Sequence, residues 1–95
     1  MAVRLVISPT ANRDLLDILD YIARDNPARA VTFVADIERR ARDLLTQFPR
    51  SGRVFKHKLR FIVIARYVFV YEHDDDLEVV AIHSVHGPGE NWRVE

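Results

Sequence analysis

Apolar positions recur along this chain with two periods, and each predicts its own kind of element. Val3–Ser8 (VRLVIS) is short and rich in β-branched residues, which predicts a strand. Ser8-Pro9 then reads as a helix start: serine caps orphan N–H groups, and proline at the first helical position gives up a donor that has no partner there. Behind it Ala11, Leu15, Ile18, Leu19 and Ile22 fall on one helical face, ending near Asp25. Asn26-Pro27 repeats the start signal with almost no loop between. The second face is Ala30, Phe33, Val34, Ile37, Ala41, Leu44, Leu45 and Phe48, the cleanest helical period in the chain. Two helices joined this tightly should form an αα-hairpin with a shared apolar stripe.

Pro49 and Gly52 end the second helix and open a loop. Leu59–Ala65, Tyr67–Glu72 and Leu77–Ser84 then read as three antiparallel strands, with Asp74-Asp75-Asp76 as a solvated turn. The tail from Val85 to Glu95 reads as irregular. The expectation is one α+β domain over residues 1–95, a helical hairpin packed on one face of a small, mostly antiparallel sheet in the order β-α-α-β-β-β. The place of the first strand in that sheet does not follow from the sequence. FIVI (Phe61–Ile64), VFV (Val68–Val70) and VVAI (Val79–Ile82) are apolar at every position instead of alternating. One hairpin covers one face, so the other needs sheet curl, the tail with Trp92, or a partner.

Composition narrows the classes. The 95 residues contain no cysteine, which excludes disulfides and thiolate metal sites. No leader-like start and no apolar run of spanning length is visible, so the expectation is a soluble protein of the cytoplasm. The formal charge is zero, yet residues 39–66 hold nine basic residues against Asp43 alone. Arg39, Arg40 and Arg42 can pair with Asp36, Glu38 and Asp43 along the helix. Arg50, Arg53, Lys56, Lys58, Arg60 and Arg66 have no acid between them, and this cluster is expected to face an anionic counterpart.

Several stretches together resemble toxins of the RelE/ParE superfamily, the stable halves of type II toxin–antitoxin pairs. They are the YIA-x-DNP-x-x-A corner (Tyr21–Ala30), FP-x-x-G-R (Phe48–Arg53), RYVFVY (Arg66–Tyr71) and the His86-Gly87 that follows Val85. The resemblance runs from Val3 to Gly87 and is closer to the ParE branch. It implies the fold above, inhibition of DNA gyrase, a role in plasmid stabilization, and neutralisation by a cognate ParD-like antitoxin, with DNA met only through that antitoxin. The RelE branch implies instead a ribosome-dependent mRNA endoribonuclease; a third reading is a degenerate toxin kept for antitoxin binding. The chain departs from the ParE pattern after His86-Gly87, where Pro88-Gly89-Glu90 follows and arginine returns only at Arg93.

Metal-free RNA cleavage needs cations for a developing phosphorane and an acid–base pair. Lys58, Arg60, Arg66, His83 and His86 supply those residue types, and Lys56 adds a cation, provided that Arg60 and His83 share the sheet face away from the helices. Ordinary roles for the same residues are sheet-edge charge and a hydrogen-bonded strand histidine. His83 and His86, three apart in extended chain, should point to opposite faces, so no metal site is expected, and no cofactor. Tyr67, Phe69 and Tyr71 share one strand face, available for stacking or for core. Partner contact is expected from Arg53, Lys56, Lys58, Arg60, Arg66, Tyr67, Tyr71, His83, His86 and Trp92.

Overall fold

The structure, a computed structural model, describes residues 3–92. Met1, Ala2 and Arg93, on which the reading of the start and of the tail arginine rested, lie outside the described residues, as do the two residues after Arg93. The elements are β1 (Arg4–Ile7), α1 (Pro9–Ala23), α2 (Pro27–Gln47), β2 (Arg53–Lys56), β3 (Leu59–Ile64), β4 (Tyr67–Asp74) and β5 (Val79–His86). Two helices therefore pack on one mixed sheet in the expected order. A short additional edge strand, β2, forms inside what reads from sequence as a loop.

Both helix starts behave as their residues dictate. Ser8 Oγ accepts the Ala11 N–H at 3.0 Å, and Asn26 Oδ1 accepts that of Arg29 at 3.0 Å. The turn between the helices closes with the N–H groups of Asp25 and Asn26 on Ile22 O, at 3.1 and 3.0 Å. Arg39, Arg40 and Arg42 form the expected pairs with Asp36, Asp43 and Glu38 on the solvent side of α2.

The sheet order is β1-β5-β4-β3-β2. β1 lies parallel to β5 at one edge, and every other pair is antiparallel. Ile62, Ile64, Phe69, Tyr71, Val80, Ile82 and Val85 meet Ala11 and Leu15 of α1 and Val34, Ile37, Ala41 and Leu45 of α2 in one core. Leu44 and Phe48 depart from the expected stripe, being 36% and 60% exposed. The i,i+4 row Ile37–Ala41–Leu45 takes the position over the sheet and leaves both at its flank.

The register slips between Val70 and Tyr71: Tyr71 faces Ile82 while Val70 faces Ser84, so His83 is the extra residue of a β-bulge. A bulge frees ladder groups, and α1 takes them up. Ser8 Oγ donates to His83 O at 2.9 Å, and Asp14 Oδ2 accepts the Val85 N–H at 2.9 Å. The first helix is thus fastened to the last strand by two polar contacts at the bulge.

Candidate functional site

The face of the sheet turned away from the helices carries a groove of about 650 Å³. Its lining includes Lys56 from the end of β2, His57 and Lys58 from the β2–β3 turn, Glu72 and Val70 from β4, His83 and His86 from β5, and Trp92 from the tail. Five residues expected from sequence, Lys56, Lys58, His83, His86 and Trp92, are brought together here. His83 and His86 line the same groove, contrary to the expected opposite faces, because the bulge at His83 resets the alternation of β5.

Hydrogen bonds hold both imidazoles. His83 Nε2 lies 3.2 Å from Glu72 Oε1. His86 Nε2 lies 2.8 Å from Ser84 Oγ and its Nδ1 3.3 Å from Glu90 Oε1. Trp92 sits against Phe61 and Phe55 at centroid separations of 4.8 and 5.2 Å, and stacks on His86 at 6.2 Å. Phe55 and Phe61 also touch edge-on at 6.0 Å. These two phenylalanines, not singled out from the sequence, build the apolar wall. The aromatic alternation Phe55-x-x-x-x-x-Phe61 was hidden by the unrecognised strand and its irregular register.

Trp92 covers part of the open face and leaves the rest uncovered. Val70 is buried there, yet Val63 on the same face is 57% exposed and Val6 is 37% exposed. The tail and an open apolar surface coexist.

The remaining expected residues lie elsewhere. Tyr71 is completely buried under the helices and its hydroxyl is committed to the Phe48–Arg53 loop: it donates to Pro49 O at 2.8 Å and accepts the Gly52 N–H at 2.9 Å. It offers no surface to a partner. Tyr67 lies on the helix side, edge-on to Phe33 at 5.6 Å, with the Arg29 guanidinium 5.4 Å above that Phe33 ring. Arg60 turns to the same loop and donates to Arg50 O at 3.2 Å and Gly52 O at 2.9 Å. Pairing with Val54 and Tyr71 places it on the helix-side face, so Arg60 and His83 do not share a face as the ribonuclease reading required.

Arg50, in the loop between α2 and β2, pairs with Asp75 of the β4–β5 turn at 2.7 Å. That hydrogen bond holds the Asp75 carboxyl below its usual range and raises the Arg50 guanidinium above its own. Burial pushes the Tyr71 phenol up. Arg53, Lys58 and Arg66 have no acidic partner among the described residues. Arg53 stands in the row of Phe61 at the β2 edge, and Arg66 at the tip of the β3–β4 turn. Among the described residues no group of three or more His, Asp or Glu side chains is placed to hold a metal ion, and no helix is long and apolar enough to cross a membrane.

The groove can therefore bind, through aromatic walls and a cationic rim. Of the residues named for RNA cleavage, Lys58, His83 and His86 meet in it while Arg60 and Arg66 stay outside.

Comparison with known proteins follows the same outline. The family described as ParE toxin of type II toxin-antitoxin system, parDE, matches residues 5–92. Among solved structures, the RelBE2 toxin–antitoxin complex from Mycobacterium tuberculosis aligns with a TM-score of 0.71 at 22% identity, over 92% of this chain and 99% of that one. The chromosomal ParDE system from P. aeruginosa aligns with a TM-score of 0.76 at 18% identity, over 90% and 96%. The intact E. coli RelBE complex gives 0.64 at 18% identity, over 94% and 100%. No curated protein sequence matches.

Proposed function

The chain belongs to the ParE toxin family of type II toxin–antitoxin systems, and from that premise we propose that it acts by binding, with DNA gyrase as its target. A cognate ParD-like antitoxin neutralises it by covering the helical hairpin and the open sheet face. DNA is met only through the antitoxin, and the chain works as a single domain in the cytoplasm. The observation that carries this reading is Arg60. Its guanidinium is occupied by two loop carbonyl groups on the helix side, so it does not share a face with His83 as the cleavage reading required. What remains on the open face, aromatic walls with lysines at the rim, suits docking.

One observation favours the rival reading of a ribosome-dependent endoribonuclease: Lys58, His83 and His86 line one groove. Two assays on the purified protein separate the readings. Inhibition of gyrase supercoiling with trapped DNA cleavage supports the first, and mRNA cleavage in programmed ribosomes in its place would sink it. Activity in neither, with tight antitoxin binding, identifies a degenerate toxin.

A further inference from the structure

The end of the described chain folds back on its own sheet. The Glu90 N–H donates to Gly87 O at 3.3 Å, and Gly89 takes a φ of +86°, a conformation natural to glycine. Pro88-Gly89-Glu90 is therefore the turn that returns Trp92 to the open face. There the indole fills a seat made by Phe55, Phe61 and His86.

We propose that this seat is a receptor for an aromatic side chain carried on an acidic segment of a partner protein, and that Trp92 occupies it in the free chain. The seat accepts an aromatic ring because it already holds one, in the edge-on and stacked arrangements that aromatic groups favour. The flanks call for acid. Lys58 belongs to the lining and Arg53 stands in the row of Phe61, both without an acidic partner among the described residues, whereas the carboxylates beside the seat, Glu72 and Glu90, lie against His83 and His86. A self-occupied seat protects an apolar surface until the partner arrives. It also lowers the partner's apparent affinity by the fraction of molecules in which the seat is open. That the partner is the antitoxin rests on the toxin–antitoxin reading; the competition for the seat does not.

The full chain contains one tryptophan, so its emission reports the seat directly. The probe is a short synthetic peptide with a single phenylalanine flanked on both sides by glutamate and aspartate, and no tryptophan. Adding it should raise acrylamide quenching of Trp92 saturably, and the same peptide with alanine for phenylalanine should bind about tenfold more weakly. Where the seat is open about a tenth of the time, Trp92→Ala should raise affinity for a labelled form of the peptide about tenfold. Absence of peptide binding overturns the proposal. So does binding that leaves quenching unchanged, or an affinity that Trp92→Ala lowers or leaves alone. Release of Trp92 by a single-stranded oligonucleotide but not by the peptide also overturns it, in favour of nucleic acid. Should Trp92→Ala not fold, the quenching titration on the unaltered chain decides alone. None of these measurements uses gyrase or cell growth, so failure of the gyrase reading leaves their outcome standing.

Discussion

The Gly52 N–H donates to Tyr71 Oη at 2.9 Å, and a Cβ at position 52 would lie 2.6 Å from that same oxygen and 2.7 Å from Phe61 O. Only glycine allows the loop to come this close to the strand. The contact is what turns the chain leaving α2 into the edge strand β2. Gly52→Ala should therefore destabilise by about 1–3 kcal/mol through overpacking. Tyr71→Phe keeps the ring but leaves the buried Gly52 N–H and Pro49 O unpaired, at about 1–3 kcal/mol. Urea midpoints of both variants measure this, and values within error of the parent for either would show the loop to be held by something else.

Burial also gives Tyr71 a pH signature. The phenol is raised above its ordinary value of 10.0, so the folded state holds the proton more tightly than the unfolded state does. Its contribution is complete below the unfolded value and is lost as pH rises through the folded one. The parent should lose thermal stability above pH 10.0 more steeply than Tyr71→Phe does, while both run parallel at neutral pH. Parallel curves throughout would mean that the hydroxyl ionises without unfolding.

The α2 stripe separates residues that look equivalent in sequence. Ile37 is fully buried between helix and sheet, and Leu44 sits at the margin. Ile37→Ala should cost about 2–5 kcal/mol and Leu44→Ala less than about 1.5 kcal/mol. Denaturant titrations of the pair give the ratio directly, and equal losses would contradict the placement of the stripe.

This contrast marks how far the sequence could be read. Ser8-Pro9 and Asn26-Pro27 announced both helices because capping is local chemistry, written in adjacent residues. The apolar runs of β3, β4 and β5 announced the sheet for the same reason. The site was less legible, since its key facts are nonlocal. Whether Arg60 faces the groove or the loop depends on pairing with Val54, in a strand only four residues long. Whether His83 and His86 share a groove depends on one bulge that no residue type signals. Trp92 reads from the sequence as a tail residue, but its seat depends on the positions of Phe55 and Phe61.

The cations divide accordingly into two kinds, and substitution should tell them apart. Arg60→Met removes the donor to Arg50 O and Gly52 O and should lower stability by about 1 kcal/mol, loosening β2. Lys58→Glu and Arg53→Glu touch no partner in the described fold. They should leave the urea midpoint nearly unchanged while weakening capture by an acidic antitoxin, the more so at low salt. Calorimetric titration at two salt concentrations tests this, and equal affinity for parent and variants would remove the basic rim from the interface.

The β3–β4 turn carries the last prediction. Ile64 pairs with Tyr67, so the turn has two central residues, Ala65 and Arg66, with φ of 51° and 75°. Both are in the left-handed region that side chains other than Asn, Asp and Gly resist, and hairpins of this shape ordinarily use Asn-Gly. Replacing the pair by that dipeptide, Ala65→Asn with Arg66→Gly, should raise stability by about 1 kcal/mol or more. Ala65→Asn alone should recover part of the gain and keep the Arg66 cation in place. Arg66 has no acidic partner among the described residues, so if its charge serves the toxin, growth arrest should survive Ala65→Asn and fall in the double variant despite its greater stability. Undiminished arrest in the double variant would make Arg66 an incidental charge on a strained turn; a loss of stability would show that the turn is not strained.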